Sequence, residues 1–136
     1  MDYKRWQFVI AAVLITFFLT LSADASVTKA TIDKDGVQKV KIIGGSYFFK
    51  PNHIIVKVGS PVEFEVSKEG GIIPHDIVAK SPEAGIEFQE NLSSTPKTIK
   101  FTPTKVGKYP FYCSKKAPFF KSHREKGMEG VIEVVP

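Results

Sequence analysis

Turn-forming residues recur at short intervals along most of this chain, and they limit each regular element to a few residues. Glycine or proline occurs at seven such places: Gly44-Gly45-Ser46, Lys50-Pro51-Asn52, Gly59-Ser60-Pro61, Glu69-Gly70-Gly71, Thr95-Pro96, Thr102-Pro103 and Lys105-Val106-Gly107. The segments between them are short and rich in β-branched and aromatic residues, which is typical of strands. The pattern predicts an all-β domain, a sandwich or barrel of roughly seven to eight strands.

The predicted strands lie at residues 37–43, 54–58, 61–66, 75–79, 97–101, 107–113 and 129–135, with an additional amino-terminal strand at 27–32. Apolar and charged residues alternate in Val62-Glu63-Phe64-Glu65-Val66, so one face of this strand should pack inward. Two facing sheets would then enclose one core. Residues 81–95 carry few strand signals, and we expect a loop or a short helix there.

The first 25 residues have the form of a secretory signal peptide. Lys4 and Arg5 precede the apolar stretch 8–21, and Ala23-Asp24-Ala25 provides a small-residue cleavage site. A membrane-spanning helix needs about 20 apolar residues, which is more than this stretch offers. We therefore expect residues 1–25 to be removed and residues 26–136 to form one exported, periplasmic domain. Anchoring to the membrane by an uncleaved amino-terminal segment is the alternative.

The chain is basic, with 19 Lys and Arg against 14 Asp and Glu and a net charge of +5. The signal segment carries two charges of each sign, so its removal leaves this balance unchanged. A basic domain favours acidic partners or membrane surfaces, whereas export argues against nucleic acid as a partner. We expect membrane contact only if the signal segment is retained, and we expect a monomer.

One thiolate, two imidazoles and one thioether form a candidate metal-binding set. Cys113 is the only cysteine, so it has no disulfide partner within the chain. His123 and Met128 follow it, and His75 lies upstream. Soft sulfur donors combined with two imidazoles favour copper, with Cys and two His in a plane and Met as a weak axial ligand. Structural zinc sites usually recruit more thiolates, so one copper ion per chain is the predicted cofactor.

Three segments resemble the cupredoxins, the small blue-copper protein family. Residues 49–64 are similar to the strand-turn-strand signature of that fold, residues 107–113 to the strand that delivers the ligand cysteine, and residues 127–134 to the return strand that begins at the axial methionine. The resemblance implies an antiparallel Greek-key β-sandwich with copper at one end. It also implies that the ligands are His75, Cys113, His123 and Met128.

The loop between the ligand cysteine and the next histidine departs from the family pattern. Nine residues separate Cys113 from His123, whereas most members have two to four. The binuclear copper centre of cytochrome oxidase subunit II has a similarly long loop, but its pattern requires a second cysteine where Ala117 stands. A two-copper centre is therefore not expected. The loop resembles that of variant, oxidase-associated periplasmic cupredoxins, and the sequence leaves the colour and the potential open.

The same loop is a candidate docking surface for a redox partner. Its apolar residues lie in the middle of a run of basic ones, and electron-transfer contacts are typically small, transient and steered by charge. The alternative is that the phenylalanines pack inward and the lysines form an ordinary solvated face. The candidate docking residues are Lys115, Lys116, Pro118, Phe119, Phe120, Lys121, Arg124 and Lys126.

These features predict a periplasmic carrier of single electrons between redox proteins, with a cytochrome or terminal oxidase of a respiratory chain as partner. The alternative is a copper storage or delivery protein, although the chain has only two methionines with which to build exchangeable sites. An enzyme would need further histidines for a catalytic copper, and only His53 remains, which we interpret as a turn residue. A metal-free interaction domain is the third alternative.

Overall fold

The structure is a computed structural model that describes residues 27–136, so the predicted signal peptide lies outside the described residues. In chain order the strands are β1 (Val27–Lys29), β2 (Thr31–Ile32), β3 (Gln38–Gly45), β4 (Phe48–Lys50), β5 (His53–Lys57), β6 (Val62–Lys68), β7 (Asp76–Ser81), β8 (Ile86–Asn91), β9 (Lys97–Phe101), β10 (Gly107–Tyr112) and β11 (Glu129–Val135). A 3-10 helix, Pro82–Ala84, connects β7 to β8.

The strands form two sheets that face each other across one core. The first sheet has the order β1-β5-β11-β10-β7-β8, and the second has the order β2-β3-β6-β9 with β4 added beside β3. Most neighbours are antiparallel, but β5 runs parallel to β1 and β11, and β3 runs parallel to β6. The chain repeatedly crosses from one sheet to the other, which brings strands of the same direction side by side. The predicted all-β sandwich is confirmed.

The seven strands expected from sequence are all present, and the bounds of β9 and β11 agree with the prediction. The amino-terminal strand is divided into β1 and β2, which pair with different sheets. Two strands were missed, β4 and β8. The expected loop or short helix at 81–95 is found in part: the 3-10 helix Pro82–Ala84 lies there, but residues 86–91 form β8, which pairs with β7 over six consecutive residues. The sequence of β8 contains only two apolar residues, so it gives little indication of a strand. The strand forms by pairing with β7.

Alternating side chains of both sheets fill the core. Phe64 of β6 is completely buried and makes edge-to-face contacts with Phe88 and Phe101, at ring centroid distances of 6.2 and 5.0 Å. Phe49 and Phe111 make a similar contact at 5.2 Å nearer the other end of the sandwich. Such pairs add to the stabilisation that comes from removing apolar surface from water. Within residues 27–136 there is no helix of the length and apolar character that a membrane crossing requires.

Replacing Phe64 with Ala should destabilise the metal-free domain by about 3–5 kcal/mol, because the change removes a buried ring and leaves a cavity. Denaturant unfolding of the metal-free protein measures the effect. The matched control is Val106→Ala at an exposed site, where we expect a change within about 0.5 kcal/mol. Equal stabilities of the two variants would contradict the assignment of Phe64 to the core.

Candidate metal centre

Three neighbouring strands of the first sheet bring the predicted ligands to one end of the sandwich. β10 lies between β7 and β11 and runs antiparallel to both. His75 immediately precedes β7, Cys113 immediately follows β10, and Met128 immediately precedes β11. Because antiparallel neighbours place the start of one strand beside the end of the next, these three residues meet at the same edge.

The nitrogen and sulfur donors form a compact triangle. His75 Nδ1 and His123 Nδ1 are 3.1 Å apart, and Cys113 Sγ lies 3.9 Å from the first and 3.5 Å from the second. Bonds of about 2.0 Å to nitrogen and about 2.3 Å to sulfur would place three donors around one ion about 3.5–3.7 Å apart. All three residues are buried. The spacing therefore fits a single metal ion bound by all three side chains.

Met128, the predicted fourth ligand, packs against β3 at the end of the ligand loop. Its side chain is completely buried, and its terminal methyl group lies beside Gly44, where an added Cβ would be only 3.3 Å away. Its backbone nitrogen donates to His123 O at 3.0 Å, and its backbone oxygen accepts from Cys113 N at 3.0 Å. The methionine is thus fixed to both ends of the ligand loop. This mixture of thiolate, imidazole and thioether fits copper.

A backbone hydrogen bond explains how the long loop still brings His123 to Cys113. His123 N donates to Lys115 O at 2.9 Å, which closes off the segment between them. We call this segment, residues 116–122, the excursion. The metal-binding part of the loop is therefore short: Cys113, Ser114 and Lys115 lead directly to His123 across this hydrogen bond. A second turn follows, in which Gly127 N donates to Arg124 O at 2.9 Å and returns the chain to Met128.

The side chain of Asp76 joins the strand of His75 to the loop of Cys113. Its two oxygens accept hydrogen bonds from Ser114 N at 2.6 Å and Ser114 Oγ at 2.5 Å. Its backbone amide also contacts the site, since Asp76 N donates to Cys113 Sγ at 3.5 Å. Burial would raise the pKa of the Asp76 carboxyl, but the hydrogen bonds from Ser114, together with contributions from Cys113 and Lys115, outweigh it and hold this pKa below its usual value.

The metal-free side chains have the protonation states that a buried site imposes. Burial lowers the pKa of His75, and His123 lowers it further. Burial also lowers the pKa of His123, with a contribution from Lys126. Both imidazoles are therefore neutral near pH 7 and free to donate an electron pair to a metal. Burial raises the pKa of the Cys113 thiol, so the thiolate forms when a metal binds and a proton leaves.

Tyr47, which the sequence analysis did not identify, covers the two histidines. Its ring meets that of His123 edge to face at 5.0 Å and that of His75 at 6.3 Å. Lys126 lies over the tyrosine ring at 4.2 Å and donates to its hydroxyl at 3.1 Å. The sequence signal was only the turn after Gly44-Gly45, and nothing local shows that its residues reach the distant loop.

An open cleft of about 550 Å³ lies above His123, and most of the predicted docking residues surround it. The excursion contributes Lys116, Phe120 and Lys121, Lys115 lies at its base, and Lys126 comes from the following turn. The opposite wall of the cleft was not predicted from the sequence. It is formed by residues of the β6–β7 connection: Ile72, Ile73 and Pro74. Phe119 and Phe120 are 105% and 64% exposed, so they do not pack inward. None of the acidic residues within 27–136 lines this cleft.

Three further residues lie outside this cleft. Pro118 is exposed beside Phe119 at the tip of the excursion. Arg124 lies over the ring of Tyr112 at 4.3 Å and pairs with Glu129 at 2.8 Å. His53 is the first residue of β5, and its Nε2 is 2.6 Å from a carboxylate oxygen of Glu133. Of the predicted docking residues, Pro118, Phe119 and Arg124 therefore do not line the cleft.

A family model described as the cupredoxin-like domain matches residues 9–130, which is most of the chain. The protein belongs to the cupredoxin-like family. This confirms the resemblance found in the sequence, and together with the donor set it confirms copper as the cofactor. No match was found among curated proteins.

Solved structures share this cupredoxin fold. The metal-binding domain of the Cu(I)-exporting P-type ATPase of Streptococcus pneumoniae is 25% identical with a TM-score of 0.61, over 82% of this chain and 98% of that chain. Auracyanin of Roseiflexus castenholzii is 20% identical with a TM-score of 0.52, over 79% and 99%. The periplasmic domain of cytochrome oxidase subunit II of Bradyrhizobium japonicum is 17% identical with a TM-score of 0.54, over 79% and 86%.

The same fold also occurs in a multicopper oxidase, which is 14% identical with a TM-score of 0.60. This chain covers 48% of that oxidase, and the alignment covers 82% of this chain. Structures with this fold therefore include both copper-binding domains and an enzyme, and the fold alone does not decide between a carrier and a catalyst.

Replacing residues 116–122 of the cupredoxin with a short Gly-Ser linker should leave copper binding and the visible spectrum unchanged, because the Lys115–His123 hydrogen bond already closes the loop beneath the excursion. Copper titration and absorption spectroscopy of the shortened protein measure this. A variant with the same linker inserted between Ser114 and Lys115 is the control, and it should lose the site. Loss of copper from the shortened protein would show that the excursion itself holds the ligands in place.

Proposed function

We propose that this cupredoxin carries single electrons on one copper ion held by His75, Cys113 and His123, with Met128 as the axial ligand. The observation that carries the proposal is the buried triangle of two Nδ1 atoms and one Sγ atom, with separations of 3.1 to 3.9 Å. Copper supplies a one-electron couple, Cu(II)/Cu(I), at this position.

The surroundings of the site favour electron transfer over ligand exchange. Each predicted ligand is at most 6% exposed, and each belongs to or adjoins a hydrogen-bonded strand or turn. Ligands held in this way move little between oxidation states, so each transfer requires little rearrangement, although how far the protein imposes the geometry is debated. Tyr47 packs on the histidines, and β3 of the second sheet packs on Met128. These contacts restrict the movement of the ligands further.

We propose that the protein is not an enzyme. A catalytic copper would need further histidines, and the remaining one, His53, is held by Glu133 at 2.6 Å. Within residues 27–136, the cluster at His75, Cys113 and His123 is the one group of such side chains positioned to hold a metal. A second copper site would therefore have to include residues outside this range.

Copper delivery is the second candidate function, and one observation supports it. The S. pneumoniae domain, at 25% identity, belongs to an ATPase that exports Cu(I), and it was solved with Cu(I). Delivery requires that copper pass readily to a partner, whereas the ligands here are buried. Slow loss of Cu(I) to a chelator, together with rapid reduction and oxidation, would support the carrier; rapid loss would support delivery.

We further propose that the protein is exported, with residues 1–25 as its signal peptide and residues 26–136 as the mature domain. The positive start, short apolar core and Ala-x-Ala site support this. A periplasmic location would place the carrier beside cytochromes and terminal oxidases of a respiratory chain, which are the partners we propose. Anchoring by the uncleaved segment would leave the copper chemistry unchanged.

The cleft above His123 is the proposed docking site for that partner. Its lysines surround an apolar centre formed by Phe120, Ile72 and Ile73, and no acidic residue of the described part of the chain lines it. Lys116 and Lys121 form no ion pair with the described residues, so their charges are available to steer an acidic partner. Lys115 is less available, because it lies 3.6 Å from Asp76 and donates to Asn91 at 2.9 Å.

Copper loading tests the proposed function directly. The protein should bind one copper ion per chain and absorb strongly in the visible range, and Cys113→Ser should abolish that absorption because the thiolate is its source. Met128→Leu should retain the colour and raise the reduction potential, since loss of a weak donor favours Cu(I). A strongly coloured Cys113→Ser protein would refute the assigned ligand, and a metal-free result for the unaltered chain would refute the function.

Charge steering is tested with small redox complexes in place of the partner. Reduction of the Cu(II) protein by hexacyanoferrate(II), an anion, should slow as ionic strength rises, because surface charges are screened beyond about 8 Å at physiological salt. The double change of Lys116 and Lys121 to Glu should slow this reaction severalfold and flatten its salt dependence. Changing Lys34 and Lys105 to Glu removes the same charge from exposed positions in other turns and should have little effect. Equal effects of both double variants would exclude local steering.

A further inference from the structure

The carboxylate of Asp76 is buried beside the predicted ligands but is not one of them. Asp76 is 0% exposed, and among residues 27–136 it is the only acidic side chain that is buried. It directly follows His75, and its backbone amide donates to Cys113 Sγ at 3.5 Å. Its oxygens reach the residue directly after Cys113, Ser114, at 2.5 and 2.6 Å. A buried charge therefore lies against two predicted ligands.

Hydrogen bonding alone does not account for an acid at this position. The oxygens accept from one amide and one hydroxyl, and an asparagine could accept from the amide with its oxygen and donate to the hydroxyl with its nitrogen. Burying a carboxylate costs more than burying a neutral amide of the same shape. The extra cost is offset in part by Lys115, whose Nζ lies 3.6 Å from the carboxylate and is 33% exposed.

We propose that Asp76 is a positioning residue whose negative charge sets the reduction potential of the copper centre, stabilising the oxidised form. The proposal rests on the function argued above. The charge count gives the direction. Cu(II) with the Cys113 thiolate and the Asp76 carboxylate makes a neutral buried group, whereas Cu(I) with the same two anions leaves one negative charge. Since net charge is costly in a medium of low dielectric constant, Asp76 disfavours reduction.

Lys115 opposes this effect from the outer side. Its ammonium group contacts the carboxylate at 3.6 Å and is held by Asn91 Oδ1 at 2.9 Å, at the end of β8. A fixed positive charge at this position reduces the field of the carboxylate at the metal. The potential is therefore set by a pair of opposite charges, with the negative member buried beside the ligands and the positive member partly exposed to solvent.

The test measures the reduction potential of copper-loaded variants by equilibrium titration. Asp76→Asn keeps the shape and hydrogen bonds and removes the charge, so it should raise the potential by about 59 mV or more, which is a tenfold change in a one-electron equilibrium. Lys115→Gln should shift the potential in the opposite direction by a smaller amount. Chelator competition should show that Asp76→Asn weakens the binding of Cu(II) more than that of Cu(I).

Glu133→Gln is the matched control, because it removes the same charge from a half-exposed position four residues along β11 from Glu129. At about 3.3 Å per residue, Glu133 lies about 13 Å from Glu129, which directly follows the predicted ligand Met128. This separation exceeds the screening length of about 8 Å at physiological ionic strength, so the reduction potential of the Glu133→Gln protein should match that of the unaltered protein. Thermal unfolding of the metal-free variants measures the structural role of Asp76 separately.

Two results would overturn the proposal. A potential for Asp76→Asn equal to that of Glu133→Gln would show that Asp76 only tethers the loop, whatever its effect on unfolding. If Asp76→Asn does not fold, a Lys115→Gln protein with an unchanged or raised potential would also overturn it. Neither result affects the electron-carrier function, which would fail only if the unaltered protein did not bind copper or did not exchange electrons.

Discussion

The pairing of β10 with both β7 and β11 is the constraint on which the metal centre depends. Antiparallel ladders on both sides of β10 place the end of this strand between the beginnings of its two neighbours. Cys113 therefore lies between His75 and Met128 before any metal is bound. A slip of one residue in either ladder would turn the ligand side chain to the other face of the sheet, because side chains alternate along a strand. The extensive core on the inner face fixes that register.

The ligand loop has a buried part that carries metal donors and a solvent-exposed part that we propose as a contact surface. The hydrogen bond from His123 N to Lys115 O divides it into a short buried part that carries the donors and an excursion that reaches solvent. The excursion carries the exposed phenylalanines and two lysines without ion-pair partners among the described residues. Since backbone closure lies below it, the composition of the excursion can change without moving the ligands. The chain can in this way adapt its contact surface to a partner while it keeps one copper geometry.

Charge around the site is arranged in layers. The innermost layer contains the thiol of Cys113 and two imidazoles that burial keeps neutral. Asp76 and Lys115 form a buried-to-exposed pair next to it, and the lysines of the cleft lie outside. Charges in the inner layers act through protein of low dielectric constant and change the relative energies of the oxidation states. In the proposed carrier, the outer lysines are screened by salt, so we expect them to change the rate of encounter with a partner and to leave the equilibrium largely unaffected.

The sequence by itself predicted the donor set and determined the fold class and most strands. Cys113, His123 and Met128 are close enough along the chain for their chemistry to be recognised together, and short alternating segments between turns identify strands locally.

The tertiary structure alone decided which distant residues join them. β8 has little strand signal of its own and exists because β7 supplies its hydrogen bonds. Tyr47, Ile72 and Asn91 reach the site from other loops and strands, and the carboxylate of Asp76 finds Ser114 only across the β7–β10 pairing. The long spacing between Cys113 and His123 looked like a departure in sequence, but one backbone hydrogen bond makes it short in space. Contacts of this kind depend on the register of the sheets, which no local pattern of residues encodes.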